Sequence, residues 1–185
     1  MITLLIDSIF YMGMMFMKKW EKQIDPNNKY GGAFILGDRN VELPETAVVS
    51  VTRGELFNIP RLIINGFLNQ MIMKAMAKNE NLLYAELRGQ LDGGIGQTMT
   101  VWKAGKEMNS FRTGGMHNFS RKFFSWVFYS GKVQSYFLTW KANGHIPTYE
   151  EASTIVTTYG RHFDGGKLVR KASQPPNDYS NQKPS

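Results

Sequence analysis

From Ile2 to Met17 nearly every position is apolar, broken only by a narrow stripe of Thr3, Asp7, Ser8 and Tyr11, a pattern that predicts a helix needing an apolar host. At roughly 1.5 Å per residue this run is marginally short for a hydrocarbon core of about 30 Å. Lys18-Lys19-Trp20 follows as a basic and aromatic anchor of the kind found at membrane interfaces. Burial against protein, an interfacial anchor and a true span all stay open, with Asp7 weighing against the last. Glu21 to Tyr30 is polar and holds Asp25-Pro26-Asn27-Asn28, the composition of a linker.

Beyond the linker the period changes several times. Ala33–Leu36 is a candidate edge strand, and Thr46 to Thr52, with Val48, Val49 and Val51, predicts a first central strand. Asn58 and Pro60 suit a helix start, after which Ile59, Ile63, Phe67, Met71 and Ala75 recur every four residues and predict a buried stripe. Leu83, Ala85 and Leu87 alternate with Tyr84, Glu86 and Arg88, giving a second strand that turns at Asp92-Gly93-Gly94 and pairs antiparallel with a third at Gln97 to Lys103. Met108 and Phe111 mark a short amphipathic helix stopped by Gly114-Gly115. A second helix carries Met116, Phe119, Phe123 and Val127, with His117 in its first turn. Lys132 to Lys141 alternates as a fourth strand, and Pro147-Thr148-Tyr149-Glu150-Glu151 opens a helix that ends near Gly160. From Gly165 the chain is basic and then rich in Pro, Asn and Ser, so a flexible, disordered tail is expected over 165–185.

This order, strand-helix-strand-strand-helix-strand, predicts a ferredoxin-like α+β fold over 33–164, preceded by an apolar helix at 1–20 and a linker at 21–32. Helices would cover one face of the sheet. The other face is substantially apolar as well, and a second copy packed face to face, a homodimer, would cover it.

Composition narrows the chemistry. The 185 residues suit one domain with extensions, and the absence of cysteine excludes disulfides, thiolate metal sites and a cysteine nucleophile. A net charge of +7 invites anionic partners, but the cations are scattered, which disfavours nucleic acid and fits a lipid surface or plain solubility. Eleven methionines and 13% aromatic residues are the stuff of pockets for large apolar ligands, and equally of an aromatic-rich core. No basic start precedes the first apolar run and no small-residue cleavage site follows it, so a secretory signal is not indicated and a cytoplasmic place, membrane-associated through residues 1–20, is expected.

The span from Ala47 to about Gly160 resembles the dimeric α+β barrel superfamily of antibiotic-biosynthesis and haem-degrading monooxygenases. Gln97-Thr98-Met99-Thr100-Val101-Trp102, then Glu107-Met108, Phe111 and Gly115-Met116-His117, are similar to the tract in spheroidene monooxygenase and its relatives, and Trp140, Gly144 and Pro147-Thr148-Tyr149-Glu150-Glu151-Ala152 resemble a related closing segment. The resemblance implies that His117 is an axial haem ligand, the metal-binding residue of a haem-dependent monooxygenase acting on a lipophilic, polyene-like substrate. Trp102, Phe111, Asn118, Arg121 and Phe124 would surround that haem, with Phe128 extending the apolar wall and Arg112 as a second candidate for a propionate. Independently, the N–H groups of a helix start disfavour an imidazolium and keep a ring lone pair available.

Other readings stand beside this one. His117 can simply cap its helix, and the chain can be a non-catalytic dimeric barrel that serves as a binding or assembly module held to a membrane or larger complex by residues 1–20. His145 reads as a solvated loop residue and His162 as a cation near a helix C-terminus. No nucleophile motif, phosphate loop or acidic metal cluster is present in the sequence.

Overall fold

The computed structural model describes the backbone at residues 20–23, 33–55, 59–90, 94–123 and 133–176. The expected helix over Ile2–Met17 and the turn at Asp92-Gly93 lie outside the described residues, as do Phe124 and Phe128.

In chain order the elements are β1 (Trp20–Gln23), β2 (Ala33–Leu36), β3 (Val48–Glu55), α1 (Ile59–Ala77), β4 (Leu82–Gln90), β5 (Ile95–Trp102), α2 (Gly105–Thr113), α3 (Gly115–Phe123), β6 (Gln134–Lys141), α4 (Tyr149–Tyr159), β7 (Arg161–Asp164) and β8 (Lys167–Arg170). All eight strands form one antiparallel sheet in the order β1-β2-β4-β5-β3-β6-β7-β8. Its middle, β4-β5-β3-β6, is the ferredoxin-like strand order, reached through one helical crossover after β3 and another after β5. The β-branched run at Val48 to Val51 sits between β5 and β6, where both ladders are satisfied and Val49 and Val51 are fully buried.

Register assigns the two faces. Glu86, Met99, Val51 and Leu138 are cross-strand partners on one face, and Ala85, Thr100, Ser50 and Thr139 are partners on the other. On the second face Met73 and Met76 of α1 pack with Ala85, Leu87, Leu36 and Trp20, and Phe111 of α2 joins them. On the first face Ala152, Ile155 and Val156 of α4 close over Val49, Val51, Met99, Val101 and Leu138. Two further bonds fix α4 there: Gln97 Nε2 donates to the Tyr149 carbonyl at 3.2 Å, and Arg53 Nη1 donates to Ser153 Oγ at 2.9 Å.

This placement corrects the expectation of helices on one side only. The apolar face for which a second copy was expected carries the chain's own α4, whose Ala152, Ile155 and Val156 pack on it.

Other expectations change as well. Trp20, read as an interfacial anchor, is only 7% exposed, and its indole Nε1 donates to the Met73 carbonyl at 3.2 Å, tying β1 to α1. With β1 added outside it, β2 is not an edge strand, and the first residues of the linker are strand. The tail begins with β8, exposed at every position yet hydrogen-bonded to β7. Finally, Phe67 of the predicted apolar stripe is 59% exposed, while its neighbour Leu68 is buried. Around Phe67 the helix is apolar on several sides, so spacing alone could not choose the buried one.

Candidate functional site

The tract from Trp102 to His117 folds around a reversal of chain direction. Strand β5 ends at Trp102 with both neighbours paired, and α2 starts within three residues. Met108 is buried, Phe111 is half-buried, and the Phe111 ring stands 5.0 Å from that of Trp102 at 39°. Gly114 donates its N–H to the Ser110 carbonyl at 2.9 Å, and a Cβ on Gly114 would meet that same oxygen at 2.9 Å. Gly115 follows at φ +47, in the left-handed region where glycine costs least, and the chain enters α3 at a new angle.

His117 comes one turn later and points back at α2. Its ring lies 5.6 Å from Phe111, and Nδ1 meets the Arg112 carbonyl at 3.1 Å. A carbonyl oxygen only accepts, so Nδ1 carries the proton in this bond and the lone pair of the neutral ring falls on Nε2. This is the arrangement by which proteins fix an imidazole for a ligand, and it is equally the way an imidazole caps a helix end.

Beside His117 is a hollow of about 410 Å³, within the range of small-molecule sites. Its wall comes from the end of α1 and the turn after it (Ala75, Asn79, Asn81), from α2 (Lys106, Glu107, Ser110, Phe111) and from the junction at Gly114 and Gly115. One carboxylate oxygen of Glu107, Oε2, is buried without a hydrogen-bond partner among the described residues.

Searched against models of protein families and against curated proteins, the sequence matches none. Among solved structures, a candidate monooxygenase from Fusobacterium nucleatum is similar at 12% identity, with a TM-score of 0.42 over 51% of this chain. The match spans 45% of that protein's chain, less than half its length.

Of the residues singled out in the sequence, His117 and Phe111 meet at the hollow. Trp102, 1% exposed, stands behind Phe111 and supports its ring from the sheet. Asn118 is half-buried on α3 and its N–H bonds the Gly114 carbonyl at 3.2 Å. Arg112 is engaged elsewhere: its guanidinium lies 5.4 Å from the Phe137 ring centre and donates to Asn109 Oδ1 at 3.2 Å. The Arg121 side chain and Phe124 lie outside the described residues. Lys106, Glu107, Ser110, Asn79 and Asn81 were not anticipated, although the spacing of Glu107, Ser110, Phe111 and Gly114 puts them on one helix face, which a period count on α2 reveals.

The wall tests the haem expectation. Ala75 and Phe111 are the apolar side chains of the described wall, and Asn79, Asn81, Lys106, Glu107 and Ser110 supply the rest. The Phe124 and Phe128 side chains that were expected to face a haem lie outside the described residues; the described ones suit a small molecule with an apolar body and hydrogen-bonding groups. Among the described residues no three His, Asp or Glu side chains come together as a metal site.

The remaining histidines have local partners. His145 Nε2 donates to Glu151 Oε2 at 3.4 Å across the start of α4. His162, on β7, stacks on Tyr136 at 4.4 Å and 10°, with Nε2 against Gln134 Oε1.

A second polar cluster escaped the sequence reading. Glu86, fully buried on β4, accepts from Tyr84 Oη at 2.8 Å, Arg39 Nη2 at 2.9 Å and Arg88 Nε at 2.5 Å, while Arg88 also lies 4.7 Å from the Tyr149 ring centre. Burial, and next the bond to Glu86, push the Tyr84 hydroxyl up to about 12. None of its members lines the hollow. The cluster joins the loop after β2, the sheet and α4.

Proposed function

We propose that this chain is a ferredoxin-like binding domain that takes a small hydrogen-bonding molecule in the hollow between α1, α2 and α3, with His117 as the group that meets it. The observation that carries the reading is the fixed tautomer of His117 at the wall of that hollow: Nδ1 is held by the Arg112 carbonyl, so the acceptor lone pair belongs to Nε2. An imidazole pre-oriented by that bond costs a ligand little to engage, because its rotamer is set before binding. Phe111 gives the ligand an apolar surface and the two asparagines give it donors and acceptors.

Ligand-observed NMR with a library of small polar aromatic fragments tests this. Hits are expected with the wild-type chain, and His117→Ala is expected to weaken them about tenfold, the worth of one lost hydrogen bond of about 1.4 kcal/mol. Hits that ignore His117→Ala, or no hits, would refute the reading. The same protein supplied with haem is expected to show no Soret band; a band that disappears in His117→Ala would replace this reading by haem binding.

A further inference from the structure

Resting on that binding site, we infer that its ligand is an organic cation, a primary ammonium carried on an apolar body, and that Glu107 is the residue that selects it. Glu107 is on the wall of the hollow, with one carboxylate oxygen shut off from water and unpartnered among the described residues. A carboxylate in that state lacks part of the solvation that stabilises its charge, and an incoming N–H donor restores it. The terminal torsion of a glutamate is soft, so the carboxylate can turn to bring that oxygen toward a donor in the hollow.

The neighbours point the same way. The Phe111 ring lines the same wall, and an aromatic face attracts a cation within about 6 Å of its centre. With Nδ1 donating to the Arg112 carbonyl, Nε2 of a neutral His117 ring is an acceptor; Ser110 and Asn81 carry further acceptor oxygens, as does Asn79, whose Oδ1 also takes the Asn81 N–H at 3.0 Å. Among the described lining residues Lys106 is the cation, and it is solvent-exposed, where water screens it. Glu107 and Lys106 are adjacent in sequence, and adjacent helix positions do not face each other, so Lys106 is poorly placed to neutralise Glu107. An anionic ligand would have to approach the Glu107 carboxylate at close range.

Three probes with one ring and three charges test this on the full chain: benzylamine, benzyl alcohol and benzoate, titrated by NMR. Benzylamine is expected to bind at least tenfold more tightly than benzyl alcohol, with benzoate the weakest. Glu107→Gln keeps the side-chain shape and is expected to erase the benzylamine advantage. Lys106→Met is expected to keep or enlarge the advantage. Benzoate binding as tightly as benzylamine, or an advantage that survives Glu107→Gln, would overturn the inference. Equal binding of all three that is lost in His117→Ala would overturn it too while leaving the binding site itself standing. Failure of all three to bind would remove both.

Discussion

Tyr84 shows how a single side chain couples folding to solvent conditions. Its hydroxyl is buried and donates to Glu86, which holds its protonated form well above the ordinary tyrosine range, to about 12. The unfolded chain gives up this proton near pH 10, whereas the folded chain keeps it. Between those values the folded state binds more protons, so the contribution is whole below pH 10 and is lost as pH rises toward 12. Urea unfolding at pH 9, 10 and 11 is expected to show falling stability, and Tyr84→Phe to flatten that fall. The sequence displayed Tyr84, Glu86 and Arg88 only as the polar half of an alternating strand. It did not show that this half is buried under α4, because alternation tells which residues share a face and leaves open which face meets water. The same limit applies to Phe67 and Leu68 on α1, where apolar residues on several sides hide the packing direction.

The helix α4 is the element whose limits were plainest from residues alone. Thr148 caps it with the full reciprocal pattern: its hydroxyl accepts from the Glu151 N–H at 3.1 Å, and its own N–H donates to Glu151 Oε2 at 2.6 Å. Burial pushes the Glu151 carboxyl up, but the bonds from Thr148 and His145 outweigh it and hold the group below its usual range. Thr148→Ala is expected to cost about 1 kcal/mol, read as a lowered urea midpoint with an unchanged slope. Strands β3, β4, β5 and β6 were equally readable, since each has eight or nine residues of alternating pattern and the hairpin between β4 and β5 is short. Strands β1, β7 and β8 have four residues each, too few for a period to emerge from polar sequence. The hollow was half visible: His117 and Phe111 stood out by type, whereas Glu107 and Ser110 looked like the solvated side of a short helix.

For the molecule as a whole, the ferredoxin-like centre followed from the order of elements, and the two flanks did not. The flank at β1 depends on one aromatic side chain. Trp20 packs with Leu36, Met73, Met76, Ala85 and Leu87 and bonds the backbone of α1, so it links the outermost strand to the helix over the sheet. Trp20→Ala is expected to destabilise the chain by about 3–5 kcal/mol in chemical denaturation, whereas a tryptophan at a lipid interface would leave stability in solution nearly unchanged. The opposite flank is held by Arg170, whose guanidinium returns from β8 to the Gly160 carbonyl at 3.0 Å and to that of Thr157 at 2.5 Å, the last turn of α4. Because β1 and β8 are the two outermost strands, seven inter-strand gaps of about 4.8 Å each put the strands of Trp20 and Arg170 roughly 34 Å apart across the sheet. Fluorescent labels near these two positions would therefore sit at a spacing suited to energy transfer. Their signal would read out the integrity of the entire ladder of strands, since any break between the rims lets the two dyes drift.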